Sequence, residues 1–451
     1  MTMMAYSFNI PEEKSSHIHV LEGSRIADNP VPERTLNENP FLVLSDTVNH
    51  SSFGLSEKKL SYGLMALSSP GGGKTTLFFQ ILDALLKRKE DDKIVVIDTK
   101  GDYLREFSRC LCGKQRIITG LPDGDAWNIF HEIMDYRDGC WHYNPLHDPE
   151  AQEIAGQLFA GMKSETQPVF PEMAKLIFSG VTLHMARTAG GRDLKTSDLT
   201  GFLKRATGED LIRVFSHPGM QDYRSCISFI KGNNAQTQGV LSYVVSCVQK
   251  VFGTASAGRR QFSIREMYQK PGRTVLFLEY DIAKAISTAP LYGVIADRVI
   301  AEALGGRAEK RSNVYLFVDE LSALPPIERL SKALSFGRGL NVHVLAGVQN
   351  TPAIEAIYGK YGALGLLAGF QNIFTFKLND NETIQYISDR LGETYEDVSY
   401  RNLRQNIHAQ RTGKTLAVHD FDVINRTLGL CAVALEGEKP FLFHMPKYQG
   451  G

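Results

Sequence analysis

The chain has 451 residues, enough for two or three domains, and with 43% hydrophobic and 22% charged residues its composition excludes a disordered or collagen-like protein. The 50 basic residues balance the 50 acidic ones, so no global positive field indicates nucleic acid, although a charged channel can lie within a neutral total. Six cysteines without a CxxC pair, and no apolar run near the ~20 residues of a membrane span, predict a cytoplasmic protein with reduced thiols.

The first part of the chain predicts an arm followed by an α/β unit. Residues 1–59 are polar, with prolines spread among charged residues, which favours an arm or a small irregular cap. Within residues 60–145, an apolar run at 62–67 precedes a glycine-rich turn, and apolar residues follow at helical spacing over 76–88. Residues 93–98 then have the pattern of a buried strand that ends on a carboxylate. Strand, loop, helix and strand in this order predict a parallel βαβ crossover.

A helical region interrupts this pattern between residues 146 and 258. Alternation of β-branched residues is scarce there, and glycine and proline clusters separate the apolar segments. The predicted helices are 153–162, 172–187, 199–206, 210–215 and 236–252. We therefore expect an all-α domain inserted into the α/β domain.

Strand patterns return in residues 259–451. The predicted strands are 274–280, 313–318, 342–348 and 373–378, with helices at 291–304 and 327–336 and a terminal hairpin at 430–435 and 440–444. Strands that alternate with helices predict a mostly parallel sheet that is covered on both faces. The expected fold class is α/β, with residues 60–145 and 259–451 as the two parts of one nucleotide-binding domain.

A glycine-rich stretch over residues 68–76, Ser-Ser-Pro-Gly-Gly-Gly-Lys-Thr-Thr, lies between a predicted strand and a predicted helix. Glycines let successive backbone N–H groups point at phosphate oxygens, and the N-terminus of the helix adds the positive end of its dipole. Lys74 would reach the β- and γ-phosphates of ATP, and the Thr75 hydroxyl would hold Mg²⁺. The predicted nucleotide-binding residues are Pro70, Gly71, Gly72, Gly73, Lys74, Thr75 and Thr76.

Two features bear on whether residues 68–76 form a phosphate-binding loop. Ser68 replaces the first glycine of the GxxxxGK[ST] pattern. The alternative interpretation is a glycine-rich turn that happens to precede Lys-Thr. The strand before the turn and the helix after it favour a phosphate-binding loop.

An acidic pair follows a second apolar run at residues 314–318, which is hydrophobic enough for a central strand. Asp319 would bind Mg²⁺ through water, and Glu320 would polarise the water that attacks the γ-phosphate. A strand end with two solvated acids is the alternative, and the nearby phosphate-binding loop argues against it.

Two further residues could respond to the γ-phosphate. Gln349 follows the predicted strand at 342–348, at the strand end where such a side chain could sense hydrolysis, and a glutamine satisfied by solvent is the alternative. Arg338 lies in a short turn between Gly337 and Gly339 and could project as an arginine finger toward a neighbouring subunit. A plain surface arginine is the alternative.

Several stretches together resemble a known family. They are Val-Val-Ile-Asp-Thr-Lys-Gly-Asp-Tyr at 95–103, Trp-Asn-Ile-Phe at 127–130, Phe-Val-Asp-Glu-Leu at 317–321, Gly-Arg at 337–338, and Gln349. This combination resembles the type IV secretion coupling proteins of bacterial conjugation, in the RecA-like translocase group that also holds the FtsK and HerA motors. The resemblance covers roughly residues 60–445, and the helical insertion falls where the family has its all-α domain.

The resemblance implies a RecA-like fold and a ring, expected to be a homo-hexamer, with ATP between subunits and DNA of no particular sequence in the channel. It implies catalytic roles for Lys74, Glu320, Arg338 and Gln349, and metal binding by Thr75 and Asp319. Relaxase and type IV secretion components are the implied partners. Family members usually carry an N-terminal anchor of two membrane helices, and this chain is expected to have none. It would then meet the inner membrane through a partner or serve another purpose.

Other residue groups carry weaker signals. His131, Cys140, His142 and His147 could be zinc ligands, but the spacing lacks a second nearby thiol and ordinary loop residues are favoured. Basic residues could face a DNA channel or be solvated surface charge; they are Arg259, Arg260, Arg265, Arg401, Arg404, Arg411 and Lys414. Residues 233–238 could contact a DNA backbone. Asp102 could belong to a site at the end of its strand or simply cap a helix.

Three functions are compatible with these residues. The first is an ATP-driven DNA motor of the coupling-protein type. The second is a HerA/FtsK-like DNA translocase in repair, partition or defence. The third is an ATP-binding adaptor that recruits substrate with little turnover, and Glu320 argues against it because an adaptor has no need of a hydrolytic carboxylate.

Overall fold

The structure is a computed structural model that describes residues 16–107, 116–120, 124–161, 169–232, 234–253, 260–279, 285–305, 312–402 and 405–450. The strands are β1 (Ser16–Glu22), β2 (Leu42–Ser45), β3 (Ser52–Leu55), β4 (Leu64–Leu67), β5 (Lys93–Asp98), β6 (Arg116–Gly120), β7 (Ala126–Trp127), β8 (Met134–Arg137), β9 (Cys140–Tyr143), β10 (Gln261–Phe262), β11 (Thr274–Glu279), β12 (Val314–Val318), β13 (Val342–Val348), β14 (Asn372–Thr375), β15 (Glu393–Asn402), β16 (Gln405–Lys414), β17 (Leu430–Ala434) and β18 (Phe441–His444). The helices are α1 (Glu57–Leu60), α2 (Lys74–Lys87), α3 (Asp102–Phe107), α4 (Phe130–Ile133), α5 (Asp148–Phe159), α6 (Val169–Arg187), α7 (Thr196–Leu203), α8 (Gly208–Ser216), α9 (Ile227–Ile230), α10 (Ala235–Phe252), α11 (Ile264–Gln269), α12 (Ala285–Gly305), α13 (Leu330–Phe336), α14 (Thr351–Tyr358), α15 (Lys360–Gly369), α16 (Asn381–Arg390) and α17 (Asp420–Arg426).

One large sheet organises the molecule. Its strands lie in the order β18-β17-β14-β4-β13-β12-β5-β11-β6, and every pairing from β14 to β6 is parallel. The terminal hairpin β17–β18 adds two antiparallel strands at one edge. The predicted α/β fold class with a mostly parallel sheet is therefore confirmed.

The central strands are buried on both faces, because residues of β4, β5, β11, β12 and β13 are divided between two different apolar clusters. In β5, Ile94 and Val96 pack with the buried face of α2, while Val95 and Ile97 face the cluster that contains α12. The second cluster continues without a break into the helices between 148 and 252, where residues such as Phe178 are fully buried. The helical region therefore shares its core with one face of the sheet.

The Trp-Asn-Ile-Phe stretch holds the junction between the sheet and this helical region. The indole of Trp127 donates a hydrogen bond to the Glu132 carboxylate at 2.8 Å, and the backbone N–H of Ile264 donates to the same oxygen at 2.7 Å. The Asn128 side-chain amide donates to the carbonyl of Leu194 at 2.8 Å. Three distant parts of the chain meet here, so these residues fix the junction.

Strands also form where the sequence patterns did not predict them. The segment expected to be an irregular arm contains β1, β2 and β3, and β1 pairs antiparallel with β15. The long hairpin β15–β16 and the short hairpin β8–β9 were missed as well. The strands of β15–β16 are rich in polar and charged residues and gave no apolar signal, whereas β8 and β9 alternate over only four residues each. Within the described ranges, none of the helices combines the length and the apolar character needed to cross a membrane.

Candidate nucleotide-binding site

The glycine-rich loop connects the end of β4 to the start of α2. Gly71 and Gly73 have φ angles of 76° and 126°, in the left-handed region that favours glycine. Gly73 is the N-cap of α2, so the 14-residue helix begins at Lys74. Its free N–H groups and dipole make the loop a ready anion site, and the sequence folds this way because only glycine allows such a turn.

Neighbouring strands hold both ends of this loop. The N–H of Ser68 donates to the carbonyl of Val348, the last residue of β13, at 3.0 Å, and the N–H of Ser69 donates to the carbonyl of Lys377 at 2.8 Å. Asn379 donates its backbone N–H to the Ser69 hydroxyl at 3.2 Å. The loop is therefore fixed by the ends of the two strands on either side of β4.

Ser68 fits the position where the motif usually has glycine. Its side chain is fully buried, and its hydroxyl donates to the Ser69 carbonyl at 2.7 Å. A Cβ atom on Gly72 would overlap this hydroxyl, so the absence of a side chain at Gly72 makes room for the serine. The departure from the motif is thus accommodated inside the loop.

Lys74 and Glu320 form a buried ion pair across the site. The Lys74 Nζ lies 2.8 Å from Glu320 Oε2, and the two side chains are only 10% and 11% exposed. The second Glu320 oxygen accepts a hydrogen bond from the Ser322 hydroxyl at 2.6 Å. The predicted phosphate-binding lysine and the predicted hydrolytic carboxylate are therefore direct neighbours.

Asp319 lies at the end of β12 and is almost fully buried. The Thr99 hydroxyl donates to its Oδ2 at 2.9 Å, and the Tyr103 hydroxyl donates to its Oδ1 at 3.1 Å. Thr99 lies in the loop that follows β5, and Tyr103 lies in the first turn of α3, which continues that loop. Both belong to the motif at 95–103, which gave no sign of the contact with Asp319.

Asp98 shapes that loop. Its carboxylate accepts hydrogen bonds from the backbone N–H groups of Lys100, Gly101 and Tyr103, at 3.0, 3.0 and 2.8 Å. Burial raises the pKa of the Asp98 carboxyl above its usual value, while the backbone donors act to lower it. Asp102 is the first residue of α3 and forms an ion pair with Arg105 at 2.6 Å. Asp102 thus has the helix-terminal position that sequence analysis gave as one alternative.

Gly347 lets β13 approach the end of β12 closely. A Cβ atom there would overlap the carbonyl oxygen of Asp319 and lie 3.5 Å from the Lys74 side chain. Gln349 follows two residues later, half-buried, immediately after the residue that binds the N–H of Ser68. The C-terminal edge of the sheet therefore brings together the loop, Asp319, Glu320 and Gln349, as expected for ligand sites in open α/β sheets.

Arg338 lies at the opposite ends of the strands, where β13 begins. It precedes β13, whereas Gln349 follows it, and the exposed guanidinium stacks over the Tyr62 ring at 4.7 Å from the centroid. Seven residues of extended strand span about 23 Å. Arg338 therefore cannot reach the loop of its own chain, and its position is compatible with an arginine finger toward a neighbouring subunit and with a plain surface arginine.

The weaker signals lie elsewhere in the structure. His131 stacks on Trp141 with ring centroids 3.7 Å apart and bonds to Asp193 at 2.7 Å, and Cys140 is exposed. In the part of the chain that the structure describes, no group of His, Cys, Asp and Glu residues could hold a metal ion. The prediction of ordinary loop residues is wrong for His131, which lies in α4, and for Cys140 and His142, which lie in β9.

Arg265 does not face a channel. It is 5% exposed and pairs with Glu150 at 3.1 Å and Glu302 at 3.0 Å, in a charged cleft of about 660 Å³ between α5, α11 and α12. Lys414 pairs with Asp389 and Glu393. Asn234 caps α10 through Thr237. Arg259, Arg404 and the side chains of Arg401 and Arg411 lie outside the described residues, as does Asn233.

The family model of the type IV secretion-system coupling protein DNA-binding domain matches residues 48–419. The chain belongs to this family. The match spans the loop, both acidic residues and the helical region, so the family resemblance drawn from the sequence motifs is confirmed. A comparison with curated protein sequences found no match.

Solved structures show the same fold. The bacterial conjugative coupling protein TrwB, in its unbound ΔN70 form, matches with a TM-score of 0.73 at 20% identity, over 96% of this chain and 94% of that one. TrwB in complex with ADP and Mg²⁺ matches with a TM-score of 0.69 at 19% identity, over 96% and 95% of the two chains. VirB4 of Thermoanaerobacter pseudethanolicus matches with a TM-score of 0.53 at 12% identity, over 91% and 97%. The fold is thus shared with TrwB and VirB4.

Proposed function

We propose that the protein is an ATP-driven DNA motor of the coupling-protein type that delivers DNA to a type IV secretion machine. One observation carries the proposal: a complete phosphate-binding loop lies against an acidic pair, with Lys74 and Glu320 in direct contact. Membership of a coupling-protein DNA-binding family supports DNA as the track. Contacts to DNA phosphates require no particular sequence.

The residues at the site fit ATP and Mg²⁺. The left-handed glycines and the start of α2 form a cradle of backbone N–H groups for phosphates, and Thr75 is in the first turn of the same helix. Thr75 and Asp319 supply the oxygen ligands that Mg²⁺ prefers. When bound, Mg²⁺ would neutralise charge on the β- and γ-phosphate oxygens.

The ion pair between Lys74 and Glu320 defines how the site would work. Lys74 exchanges Glu320 for the phosphate oxygens of ATP, which frees the carboxylate. Glu320 then orients a water molecule, whose oxygen attacks the γ-phosphorus as the bond to the β–γ bridging oxygen breaks. The rate gain comes from positioning and charge stabilisation, without a covalent intermediate.

We further propose that copies of the chain assemble as a ring of six subunits, the number that the family resemblance implies. The position of Arg338 supports this arrangement, because it is exposed at the sheet edge farthest from its own loop. In a ring, Arg338 would contact the nucleotide of the adjacent copy, and Gln349 would respond to the γ-phosphate within its own copy. A relaxase and membrane components of the secretion machine would be its partners at the inner membrane.

Steady-state ATPase activity with and without single- and double-stranded DNA tests the proposal, with Lys74→Ala and Glu320→Gln beside the wild type. We expect turnover that DNA stimulates and that both variants lose. The preferred strand form would identify the track. ATP binding with no turnover under any condition would refute the motor and favour the recruitment adaptor.

The test also separates the motor from its HerA/FtsK-like alternative. DNA-stimulated turnover fits both, so the second arm is a pull-down of relaxase and secretion components by the wild-type chain. Capture of a relaxase supports the coupling role. Translocation activity without such capture would favour a motor in repair, partition or defence.

A further inference from the structure

Two hydroxyl groups from the segment after β5 form hydrogen bonds with the carboxylate of Asp319. Thr99 donates to Asp319 Oδ2 at 2.9 Å and Tyr103 donates to Asp319 Oδ1 at 3.1 Å, so each oxygen of Asp319 has its own donor. A carboxylate held at both oxygens cannot rotate about its last bond without losing a hydrogen bond. The orientation of Asp319 is therefore set from β5 and its loop, and not only from its own strand.

The donors are themselves fixed. Asp98 accepts three backbone N–H groups of the loop, and Gly101 adopts a φ of 73° that allows the turn. The Tyr103 ring is fully buried and packs edge-on against Phe79 of α2, with ring centroids 4.8 Å apart. Tyr103 thus links the helix that begins at the phosphate-binding loop to the carboxylate of β12.

Tyr103 and Thr99 each carry a hydroxyl group, which can donate one hydrogen bond, whereas a carboxylate oxygen accepts. The direction of both contacts is therefore set: the two hydroxyl groups donate and Asp319 accepts.

The orientation of the Asp319 carboxylate matters because Mg²⁺ demands nearly ideal octahedral geometry and gives up its water ligands reluctantly. A carboxylate that binds the ion or its water must point in one direction before the ion arrives. Groups that hydrogen-bond to metal ligands orient them in this way, and losing one typically costs about 10- to 100-fold in metal affinity or activity.

We propose that Thr99 and Tyr103 are positioning residues that hold Asp319 in the orientation needed for Mg²⁺ at the nucleotide site. This inference rests on the proposed function, because it assumes that Asp319 serves the metal. The residues of the Asp-Thr-Lys-Gly-Asp-Tyr motif then have two separate roles. Asp98 and Gly101 build the turn, and Thr99 and Tyr103 deliver the hydroxyl groups.

The experiment is calorimetric titration of ADP into the wild-type protein, Tyr103→Phe, Thr99→Val and Thr99→Ser, over a series of Mg²⁺ concentrations and again with EDTA. We expect Tyr103→Phe and Thr99→Val to raise the Mg²⁺ concentration for half-maximal tightening of ADP binding about tenfold or more. ADP affinity in EDTA should stay at the wild-type value. Thr99→Ser keeps the hydroxyl and should restore the wild-type Mg²⁺ dependence.

Tyr268→Phe is the matched control, because Tyr268 is a partly buried tyrosine whose hydroxyl donates to the Val299 carbonyl at 3.0 Å, away from the site. It should leave the Mg²⁺ dependence unchanged. An unchanged Mg²⁺ dependence in both Tyr103→Phe and Thr99→Val would overturn the inference, even if those variants lost thermal stability. If wild-type protein bound no nucleotide at all, the proposed function itself would fail, and the titration would show that difference directly.

Discussion

The guanidinium of Arg338 lies 4.7 Å from the centroid of the Tyr62 ring, at the edge of the sheet where β4 and β13 begin. The phosphate-binding loop lies at the other edge, where the same strands end. A cation held on an aromatic face gains about 0.5–1 kcal/mol at an exposed site. Tyr62 thus holds Arg338 loosely enough for a subunit partner to compete for it.

Arg338 should act only across a subunit interface. Arg338→Ala should lower DNA-stimulated ATPase turnover by roughly 10³-fold or more, the usual effect of removing an arginine finger. Mixing Arg338→Ala with Lys74→Ala should recover part of the activity, because a ring of both contains sites with an intact loop beside an intact arginine. Steady-state ATPase assays of the mixture measure this.

The control for the mixing experiment is each variant mixed with itself at the same total concentration. An Arg338→Ala protein that retained wild-type turnover would contradict the prediction, and so would a mixture no more active than its components. Tyr62→Leu removes the cation–π partner and should change turnover far less than Arg338→Ala.

Gly347→Ala should distort the site from within the sheet. The added Cβ would overlap the Asp319 carbonyl oxygen and approach the Lys74 side chain, so β12 and β13 must separate. Overpacking of this kind costs about 1–3 kcal/mol, and nucleotide affinity should fall with it. Chemical denaturation and ADP titration measure the two effects.

Gly365→Ala is the matched glycine control, because a Cβ there meets nothing within 4 Å on α15. It should leave ADP affinity unchanged and increase the free energy of unfolding by a few tenths of a kcal/mol to about 1 kcal/mol. Equal losses of affinity in both glycine variants would show that the close approach at Gly347 is unimportant.

The Glu132 carboxylate should be the strongest single contributor to the junction between the sheet and the helical region. It is fully buried and accepts hydrogen bonds from Trp127 and Ile264, with Arg298 Nε 3.8 Å away. Glu132→Ala leaves the two buried N–H donors without an acceptor, at about 1–3 kcal/mol for each, while Arg298 keeps its ion pair with Glu302 at 2.6 Å. Trp127→Phe loses one hydrogen bond and about 1 kcal/mol besides its packing loss.

Thermal and urea unfolding curves of both variants test this order. The contrary result is a Glu132→Ala protein that is as stable as Trp127→Phe, which would mean that packing rather than the buried carboxylate holds the junction.

The charged cleft at the same junction should make stability depend on pH through His147. The hydrogen bond from His147 to Glu150 raises the pKa of the imidazole above its usual value, with Asp135 contributing in the same direction and burial and Arg265 opposing. The folded pKa exceeds the unfolded one of about 6.5. His147 therefore adds stability fully below about pH 6.5, and this stability is lost as the pH rises through the folded pKa.

Unfolding midpoints measured between pH 6 and 9 should show this decline in the wild type and a flatter profile in His147→Gln. Solvent screening limits the contribution of His147 to the free energy of unfolding to about 1 kcal/mol or less. His142→Gln, which changes an exposed histidine of β9, is the control and should follow the wild-type profile. A His147→Gln profile that parallels the wild type would contradict the prediction.

Local patterns predicted the sheet and the loop well. The strands at β5 and β13 have the bounds that their apolar runs indicated, because fully buried parallel strands leave an unbroken apolar signature. The glycine-rich turn before α2 and the acidic pair after β12 have the places in the fold that their short spacings indicated, and their roles toward a nucleotide stay predictions.

Other contacts could not be predicted because they join residues far apart in the chain. The hydroxyls of Thr99 and Tyr103 meet Asp319 only through the pairing of β5 with β12, and Glu320 meets Lys74 across 246 positions. The hairpin β15–β16 was missed because its polar strands carry no apolar alternation. Arg265 was grouped with a possible DNA surface because its charge is visible in the sequence, whereas its partners Glu150 and Glu302 are distant.

The pairing of β1 with β15 has a practical consequence for anyone who dissects the protein. A fragment that starts at the predicted boundary near residue 60 would lose β1 and leave one side of β15 with unpaired N–H and C=O groups. An exposed strand of this kind invites pairing with other chains, so such a fragment should aggregate. Expression of isolated parts should therefore keep residues 16–22 together with the hairpin that they complete.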